Sequence, residues 1–190
     1  MAIGTYSELK TAVATWLHRA DLTTIIPDFI TLCEQRIRQD VRCRAMEASA
    51  TGSLAASSLA FPTRLADIRR VVLAGEQLDY LPPDSFSVVE DTDTNHYTTK
   101  GETFYFQRDS GTYVIEYYQW FAPFSGANDT NWLLTNYPGL YLYGSLAEAA
   151  VYTREDPTVF ATRYLAEVQR IRSSDRLTNE QLVVRTSGVV

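Results

Sequence analysis

The sequence predicts an α+β protein in which a four-helix bundle, formed by the N- and C-terminal helices, carries an inserted antiparallel β region. Apolar residues recur at helical spacing near both ends of the chain, whereas the middle alternates polar and apolar residues between Gly-containing turns. Four amphipathic helices split by an insertion pack most economically as one bundle. We therefore expect a discontinuous bundle from residues 1–43 and 124–180, a β-rich region at 44–123 and an extended C-terminal tail at 181–190.

The N-terminal part predicts two helices. Thr5 and Glu8 have the spacing of a capping box, in which each residue satisfies a backbone N–H of the other, and an apolar stripe that begins at Tyr6 follows. A second amphipathic helix should begin near Thr24, with Pro27 in its first turn, where a missing N–H does no harm. These two helices form the N-terminal half of the predicted bundle.

The middle of the chain predicts strands. Residues 46–59 are rich in Ala, Ser and Thr and are expected to be extended or to form a strand of small residues. Residues 68–73 and 77–81 flank a Gly-containing turn and predict a β-hairpin. Residues 96–121 contain three strand-like runs separated by Gly-containing turns, which predicts an antiparallel meander.

Both faces of the last predicted strand carry large side chains. Successive side chains of a strand point to opposite faces, and here aromatic residues occupy both. We expect the helices to cover one face and a neighbouring subunit to cover the other, which makes Tyr118 and Trp120 candidate subunit-interface residues. The residues on that face are Val114, Tyr118 and Trp120, and those on the opposite face are Tyr113, Ile115 and Tyr117.

The helix predicted to begin near Pro138 has an unusual composition. Gly144, Ala147 and Ala150 recur at three-residue spacing and would let another helix approach closely. Tyrosines supply rigid amphipathic rings that suit protein interfaces, so those near the start of this helix are further subunit-interface candidates. An ordinary packed helix is the alternative interpretation. The candidate tyrosines are Tyr137, Tyr141 and Tyr143.

The chain ends with one more helix and an apolar segment. Asp156 and Pro157 open the helix, and the segment from residue 181 is apolar without a clear period. A free tail would be more polar, so these side chains are candidates for docking on a partner, with simple fraying as the alternative. The candidate docking residues are Leu182, Val183, Val184, Val189 and Val190.

Composition excludes several classes of protein. With 190 residues, 45% of them hydrophobic, the chain can bury a core as one domain or as one domain with an insertion. It has no apolar run long enough for a membrane helix and no secretion signal, which predicts a soluble protein without a membrane partner, made in a cytoplasm-like compartment. Cys33 and Cys43 on one helix would be about 15 Å apart, too far for a disulfide.

The net charge of −6 is uneven along the chain. Residues 1–43 carry five basic and five acidic side chains, residues 44–123 carry six and eleven, and residues 124–190 carry six and seven. Because tight duplex binding needs a basic surface, this balance disfavours it, whereas DNA passing close by without being gripped is compatible with it. Fifteen of the seventeen cationic residues are Arg, which suits bidentate pairing across protein interfaces.

The sequence offers little for catalysis. Two histidines, His18 and His96, do not make a metal site or a catalytic triad, and nucleotide-binding glycine loops are absent. Asp91, Asp93, Asn95 and Glu102 occupy positions 1, 3, 5 and 12 of a calcium loop, but His96 replaces its turn glycine. A solvated acidic loop explains this pattern more simply than a calcium- or ligand-binding module. We therefore assign no catalytic, cofactor-binding or metal-ligating residue and expect no cofactor.

Two segments together with the element order resemble the head-to-tail adaptor, or connector, proteins of tailed bacteriophages. The first is the helix that contains Tyr6-Ser7-Glu8-Leu9-Lys10, with the second helix from Thr24 to Arg38 behind it. The other is the run from Trp132-Leu133-Leu134 to Ala150, followed by the Asp156-Pro157 helix. The likeness covers essentially the whole chain, and its motifs are structural rather than catalytic.

The resemblance implies a structural virion protein of the neck, at the head–tail interface. Such proteins form a homo-oligomeric ring, commonly of twelve copies, below the portal protein, join it to tail proteins, and leave a channel for genomic DNA. They are not enzymes and use no cofactor. A tail-completion or terminator protein, which also forms a ring but binds tail subunits, is the alternative. The apolar C-terminal tail is expected to dock on the portal.

Overall fold

The computed structural model describes the backbone of residues 3–88 and 94–186, and their side chains except at position 20 and at 176–186. The chain divides into two compact units. The helical unit comprises the two ends of the chain, up to Ala45 and from Phe121 onward, and the sheet unit is Met46–Trp120.

Six α-helices lie within the described residues. They are α1 (Tyr6–Leu17), α2 (Ile26–Asp40), α3 (Pro83–Phe86), α4 (Trp132–Asn136), α5 (Pro138–Thr153) and α6 (Thr158–Thr186). Seven strands accompany them: β1 (Glu47–Leu54), β2 (Ser58–Ala60), β3 (Leu65–Leu73), β4 (Glu76–Tyr80), β5 (His96–Lys100), β6 (Thr103–Phe106) and β7 (Gly111–Gln119).

The predicted fold class, a four-helix bundle with an inserted antiparallel β region, is wrong. The sheet unit forms a seven-stranded, nearly closed sheet in the order β1-β7-β3-β4-β5-β6-β2, with a core of its own. Its strands are not all antiparallel, because β4 and β5 pair in parallel from Asp79 opposite His96. A short helical turn was expected at residues 84–90, where α3 begins one residue earlier and ends at Phe86, but the short helix α4 was not predicted. The protein is therefore a mixed α+β structure in which the sheet is a principal part.

The predicted hairpin is confirmed, but the predicted meander is only partly present. β3 and β4 pair around a two-residue turn, and β5 and β6 form a second hairpin. β7 does not continue that hairpin, because β6 already pairs with β5 and β2 on its two edges. β7 instead lies between β1 and β3. The pairing of β7 thus connects strands that are distant in the sequence.

Alternation along β7 separates a core face from an outer face, as the sequence predicts, but other residues of the sheet unit cover the core face, where the helices were expected to do so. Ile115 and Tyr117 are buried in the core of the sheet unit, and Tyr113 packs against that core. Tyr118 and Trp120 are only half-buried on the opposite face. The core of the unit consists of Leu54, Val71, Leu73, Leu78, Tyr97, Phe104, Phe106, Ile115 and Tyr117.

The β3–β4 turn contains a strained alanine, which leads to a first prediction. Ala74 and Gly75 have φ values of 53° and 87°, the left-handed conformations that two-residue hairpin turns require. Asparagine tolerates this conformation better than alanine, so Ala74→Asn should raise the free energy of unfolding by about 0.5–1 kcal/mol. Urea denaturation measures the change. Ala55→Asn is the matched control, since Ala55 is also exposed but has no positive φ, and an equal gain there would contradict the turn geometry.

The N-terminus of α1 confirms the predicted capping box. The Thr5 hydroxyl accepts a hydrogen bond from the Glu8 N–H at 3.2 Å, and the Glu8 carboxylate accepts from the Thr5 N–H at 3.1 Å. The Gly4 N–H donates to the same carboxylate at 2.8 Å. These backbone donors lower the pKa of Glu8, because they favour its charged form.

Helix α5 is the central element of the helical unit. It contacts α1, α2, α4 and α6, and most of its side chains are buried, including Leu140, Leu146 and Ala149. It begins at Pro138, as predicted. Because neighbouring helices surround α5, it has few polar residues and lacks the broad polar face of a helix at the protein surface.

Helix α6 is longer than predicted. It extends through Thr186, so residues 181–186 are helical, although an extended tail was expected to begin at residue 181. The sequence after Asp156-Pro157 contains neither Gly nor Pro before Gly188, and so no residue of this stretch breaks a helix. Apolar residues without a clear period therefore did not mark the end of the helix.

Candidate interaction surface

The candidate tyrosines near the start of α5 differ in their placement. Tyr141 is only 2% exposed, and its ring packs at 5.0 Å from the ring of Phe124. Its hydroxyl accepts a hydrogen bond from the Asn131 amide at 2.8 Å, and burial raises its pKa. The structure thus places Tyr141 inside the helical unit, whereas Tyr137 and Tyr143 are half-buried at the surface.

The small residues of α5 serve packing within the chain. A Cβ at Gly144 would lie 2.3 Å from the Cys33 sulfur of α2 and 3.1 Å from the Tyr164 ring of α6. Ala147 and Ala150 are 3% and 2% exposed. The small residues therefore let α2, α5 and α6 of one chain approach one another closely. This agrees with the alternative interpretation of α5 as an ordinary packed helix.

Aromatic rings and arginines meet at the surface between α1, α5 and α6. The ring of Trp16 contacts Tyr143 edge-on at 6.0 Å. The Arg163 guanidinium lies over the same Tyr143 ring at 5.4 Å, and one of its N–H groups donates to the Tyr143 hydroxyl at 3.3 Å. Cation–π contacts of this kind hold a guanidinium in place while leaving its edge available to a partner.

A second group of the same composition lies farther along α6. The Arg170 guanidinium is 5.8 Å from the centre of the Tyr137 ring, and Trp132 packs against Tyr137 at 5.7 Å. Gly139 lies between the two groups, because a Cβ at this position would be 3.3 Å from the Tyr143 ring and 3.2 Å from the Glu167 carboxylate of α6. We call the combined surface the Arg–aromatic stripe. It consists of Trp16, Tyr143, Arg163, Tyr137, Arg170 and Trp132.

The stripe is open to solvent. Trp16 and Trp132 are 46% and 42% exposed, although both are large apolar rings. The Arg170 side chain is 71% exposed and forms a 3.7 Å ion pair with Glu167. Trp132 and Tyr137 also form part of the wall of a cleft of about 230 Å³. Residues 43–45 and the side chains of Ile171, Ser174 and Asp175 form the rest of that wall.

The sequence pointed to Tyr137 and Tyr143 as interface residues but not to the arginines and tryptophans beside them. Tyr143 and Arg163 are twenty residues apart, and Trp16 comes from the opposite end of the chain. The excess of Arg over Lys was the available signal, but composition does not say which arginines lie next to which rings.

The other two interface candidates lie on the outer face of β7 in the sheet unit. The Arg69 guanidinium is 5.4 Å from the centre of the Tyr118 ring and forms a 2.6 Å ion pair with Glu47. Trp120 is tied to the chain before β3, because its N–H donates to the Arg64 carbonyl at 2.8 Å. A local cation–π contact thus holds the Tyr118 ring in place, and a backbone hydrogen bond to Arg64 fixes the main chain at Trp120.

A cleft of about 330 Å³ adjoins this face, and its charges are already paired. Its lining includes Glu47 and Glu116, which bind Arg69 and Arg70 at 2.6 and 2.8 Å. Exposed ion pairs of this kind contribute little to stability and leave no isolated charge for a ligand. We therefore assign no ligand to this cleft.

The remaining candidates cannot be placed by their side chains. Leu182, Val183 and Val184 belong to the last turns of α6, where only the backbone is described, and Val189 and Val190 lie outside the described residues. Asp91 and Asp93 of the calcium-like loop also lie outside them. Within the described part of the chain, no cluster of three or more His, Cys, Asp or Glu side chains could hold a metal ion.

The two units differ sharply in charge. The sheet unit, residues 46–120, contains eleven acidic and five basic residues, a net charge of −6. The rest of the chain contains twelve of each, so the sheet unit accounts for the whole net charge. Among residues 3–88 and 94–186, no helix has the length and apolar character that a membrane span needs.

Comparison with known protein families gives a match. The family model described as "SU10 adaptor protein" matches residues 4–187, which is nearly the whole chain and includes both units. No curated protein matches the sequence.

Proposed function

Because the chain belongs to the SU10 adaptor protein family, a family of bacteriophage adaptor proteins, we propose that it is a head-to-tail adaptor of the virion neck. In this role it forms a ring, of about twelve copies by analogy with such connectors, below the portal protein. The ring joins the portal to tail proteins and leaves a channel for the genome. The family match over residues 4–187 is the observation that carries the proposal.

The surfaces described above support a role in assembly. Trp, Tyr and Arg are the residue types that dominate protein interfaces, and the Arg–aromatic stripe presents all three to solvent. A net charge of −6 in the sheet unit suits a channel wall along which DNA slides, because like charge prevents tight binding. The proposed role needs neither catalysis nor a cofactor.

Mixing with portal rings tests the proposal. Light scattering should give the mass of the purified full-length chain, then that of a portal ring from the same virus with and without the chain. We expect the portal complex to grow by about one chain per portal subunit. If the chain does not bind the portal but binds tail-tube subunits, the tail-completion role replaces the proposed one. If it binds neither the portal nor the tail-tube subunits, it is not a connector.

The C-terminal segment gives a second prediction. We propose that Leu182, Val183, Val184, Val189 and Val190 dock on the portal, because apolar side chains are stabilised when a partner removes them from water. Truncation after Asn179 should therefore weaken portal binding by at least about a hundredfold, which corresponds to about 2.7 kcal/mol, since each aliphatic side chain that is fully buried contributes about 1.5–3 kcal/mol.

Truncation after Thr186 is the matched control, because it keeps all of α6 and removes only the last four residues. It should reduce portal binding less than truncation after Asn179. Co-sedimentation with portal rings measures both affinities. Wild-type affinity in the shorter variant would contradict a docking role for the segment.

A further inference from the structure

We propose that the free edge of strand β1 binds an extended segment of a partner protein, which adds one more strand to the sheet. β1 and β2 are the two edges of the seven-stranded sheet, since each pairs with one strand only within the described residues. The inference deepens the proposed function by naming a surface for a partner and the way in which the partner binds. It rests on that function where it decides against a second copy of the chain.

The hydrogen bonds of β7 show which of its residues bond to β1. The Thr112 carbonyl accepts a hydrogen bond from the Ala74 N–H, next to β3, at 2.8 Å. Just past the other end of β7, the Trp120 N–H donates to the Arg64 carbonyl, also at 2.8 Å. Since the backbone groups of successive strand residues point to opposite edges, the even-numbered residues of β7 bond toward β3 and the odd-numbered ones toward β1.

The register between β1 and β7 extends this alternation to the free edge. Ala48, Ala50 and Gly52 lie opposite odd-numbered residues of β7, so their N–H and C=O groups bond to that strand. The residues between them point these groups the other way, where no strand of the described chain lies. These edge residues are Glu47, Ser49, Thr51 and Ser53. They offer a row of alternating donors and acceptors, which another strand satisfies.

Strand β1 lacks the features that keep the edges of natural sheets from pairing. Protected edges are short, or carry Lys, Pro or a bulge. β1 has eight residues in unbroken register with β7, and it contains neither Lys nor Pro. Its one charged residue, Glu47, stands at its start and forms an ion pair with Arg69 at 2.6 Å. The edge of β1 is therefore open to a further strand.

The opposite edge of the sheet differs from β1 in each of these respects. β2 has three residues, and Pro62 follows it closely. The Ser57 carbonyl, directly before β2, accepts a hydrogen bond from the Phe106 N–H of β6 at 2.8 Å. By the same alternation, only Ser58 and Ala60 of β2 point their backbone groups away from β6. β1 is thus the edge that offers a useful length for pairing.

The small side chains of β1 define the chemistry of the added strand. Ser and Thr line its exposed face, whereas Ala48 and Ala50 pack against the core of the sheet unit. Beyond Glu47 the strand carries no charge, so a charged segment would find no ion-pair partner along it. Hydroxyl and β-branched side chains pair well across strands. The partner segment is therefore extended, uncharged and rich in Val, Ile, Thr or Ser.

A second copy of the chain is the competing occupant, because two β1 edges could pair with each other. Such a contact uses the same strand on both copies, so it is two-fold, and it closes after two subunits instead of continuing around the proposed ring. A heterologous pair between copies would need a second free edge of matching length. Among the strands that the structure describes, only the short edge of β2 remains. Both points favour a segment of another protein.

Hydrogen exchange tests the inference on the full-length wild-type chain. Mass spectrometry with residue-level fragmentation measures deuterium uptake in residues 47–54, for the chain alone, with a portal ring and with tail-tube subunits from the same virus. In the chain alone the amides of Ser49 and Thr51 should exchange rapidly, whereas those of Ala50 and Gly52 are protected by β7. In the complex with the partner that supplies the strand, exchange at Ser49 and Thr51 should slow by at least about tenfold.

A proline at the centre of the edge tests the backbone groups directly. Thr51→Pro removes an N–H that points away from β7, so it keeps the bonds between β1 and β7, and an edge strand tolerates proline at such a position. It should weaken binding of that partner by at least about tenfold, because the added strand loses an N–H donor and meets the proline ring. Co-sedimentation measures the affinity.

Thr51→Val is the matched control, because it keeps both the N–H and a β-branched side chain. It should bind the partner within about twofold of the wild type, since the added strand pairs with the backbone. Circular dichroism checks that both variants fold. The exchange experiment needs no variant and decides the question even if the proline variant does not fold.

Three results would overturn the inference. The edge amides gain no protection in either complex, or Thr51→Pro binds both partners as Thr51→Val does. The third is protection that is already present in the chain alone and disappears on dilution, which would assign the edge to a second copy. If the chain still binds the portal in any of these cases, the role of the edge is wrong and the proposed function stands. Binding to neither partner would refute the proposed function together with the inference.

Discussion

Replacing Tyr164 by alanine is expected to lower the free energy of unfolding by about 3–5 kcal/mol, the range found for large-to-small substitutions of buried aromatic residues. Tyr164 is 1% exposed on α6, and its ring lies against Gly144 and below the Arg36 guanidinium at 5.7 Å. Removing the ring leaves a cavity where α2, α5 and α6 meet. Urea denaturation followed by circular dichroism at 222 nm measures the loss.

Tyr164→Phe is the matched control, because it keeps the ring and removes only the hydroxyl. That hydroxyl donates a hydrogen bond to the Asp40 carboxylate at 2.9 Å, so its loss should cost about 1–3 kcal/mol. A loss as large as that of the alanine variant would show that the hydrogen bond, and not the packed ring, dominates. A change below about 1 kcal/mol in Tyr164→Ala would contradict the packing of the three helices.

The same pair of variants should differ in alkaline solution. Burial and then the hydrogen bond to Asp40 raise the pKa of Tyr164 above its ordinary value of 10.0. The folded state therefore keeps a proton that the unfolded state releases, and the stability contributed by this group is lost as the pH rises above about 10. Tyr164→Phe should show a weaker fall of stability with pH than the wild type.

Gly144→Ala should destabilise the protein by about 1–3 kcal/mol, even though alanine is the better helix former by about 1 kcal/mol. The added Cβ would lie 2.3 Å from the Cys33 sulfur, a distance that real Cβ atoms do not adopt, so α2 or α5 must move. Both Gly144 and Cys33 are buried, and neither side has room to yield.

A double-mutant cycle isolates this contact. Cys33→Ala removes the sulfur, so the variant that combines it with Gly144→Ala should recover most of the loss, with a coupling energy of about 1–2 kcal/mol. Gly139→Ala is the matched control nearer the start of α5, where a Cβ would meet the flexible Glu167 carboxylate at 3.2 Å. Denaturant titration measures all four variants. Equal losses at Gly139 and Gly144 would argue against a close approach of α2 at Gly144.

Features set by neighbouring residues were predictable from the sequence. The capping box of Thr5 and Glu8, the start of α5 at Pro138 and the β3–β4 hairpin all depend on residues a few positions apart. The two faces of β7 follow from the same kind of local pattern, because strand side chains alternate. Each of these predictions is confirmed.

Features set by distant residues were not predictable. β1 is rich in Ala and Ser and contains Gly52, which the ring of Tyr113 on β7 covers from the paired position. A strand of small residues has little strand signal of its own, so the seven-stranded sheet was underestimated and the fold class was wrong. The Arg–aromatic stripe was missed for the same reason, since Trp16, Tyr143 and Arg163 meet only after folding.

The pairing of β1 with β7 changes the entropic cost of assembling the helical unit. Glu47 lies opposite Tyr118, so the sheet unit brings its own first and last strands together. Without it, α2 and α5 would have to meet across an open loop that includes all 75 residues of Met46–Trp120, at an entropic cost of about 4 kcal/mol that grows with loop length. Once β1 and β7 have paired, the chain ends leave the sheet side by side, and most of that cost is gone. A formed sheet therefore lowers the entropic cost of bringing α2 and α5 together, because β1 and β7 have already closed the same stretch of chain.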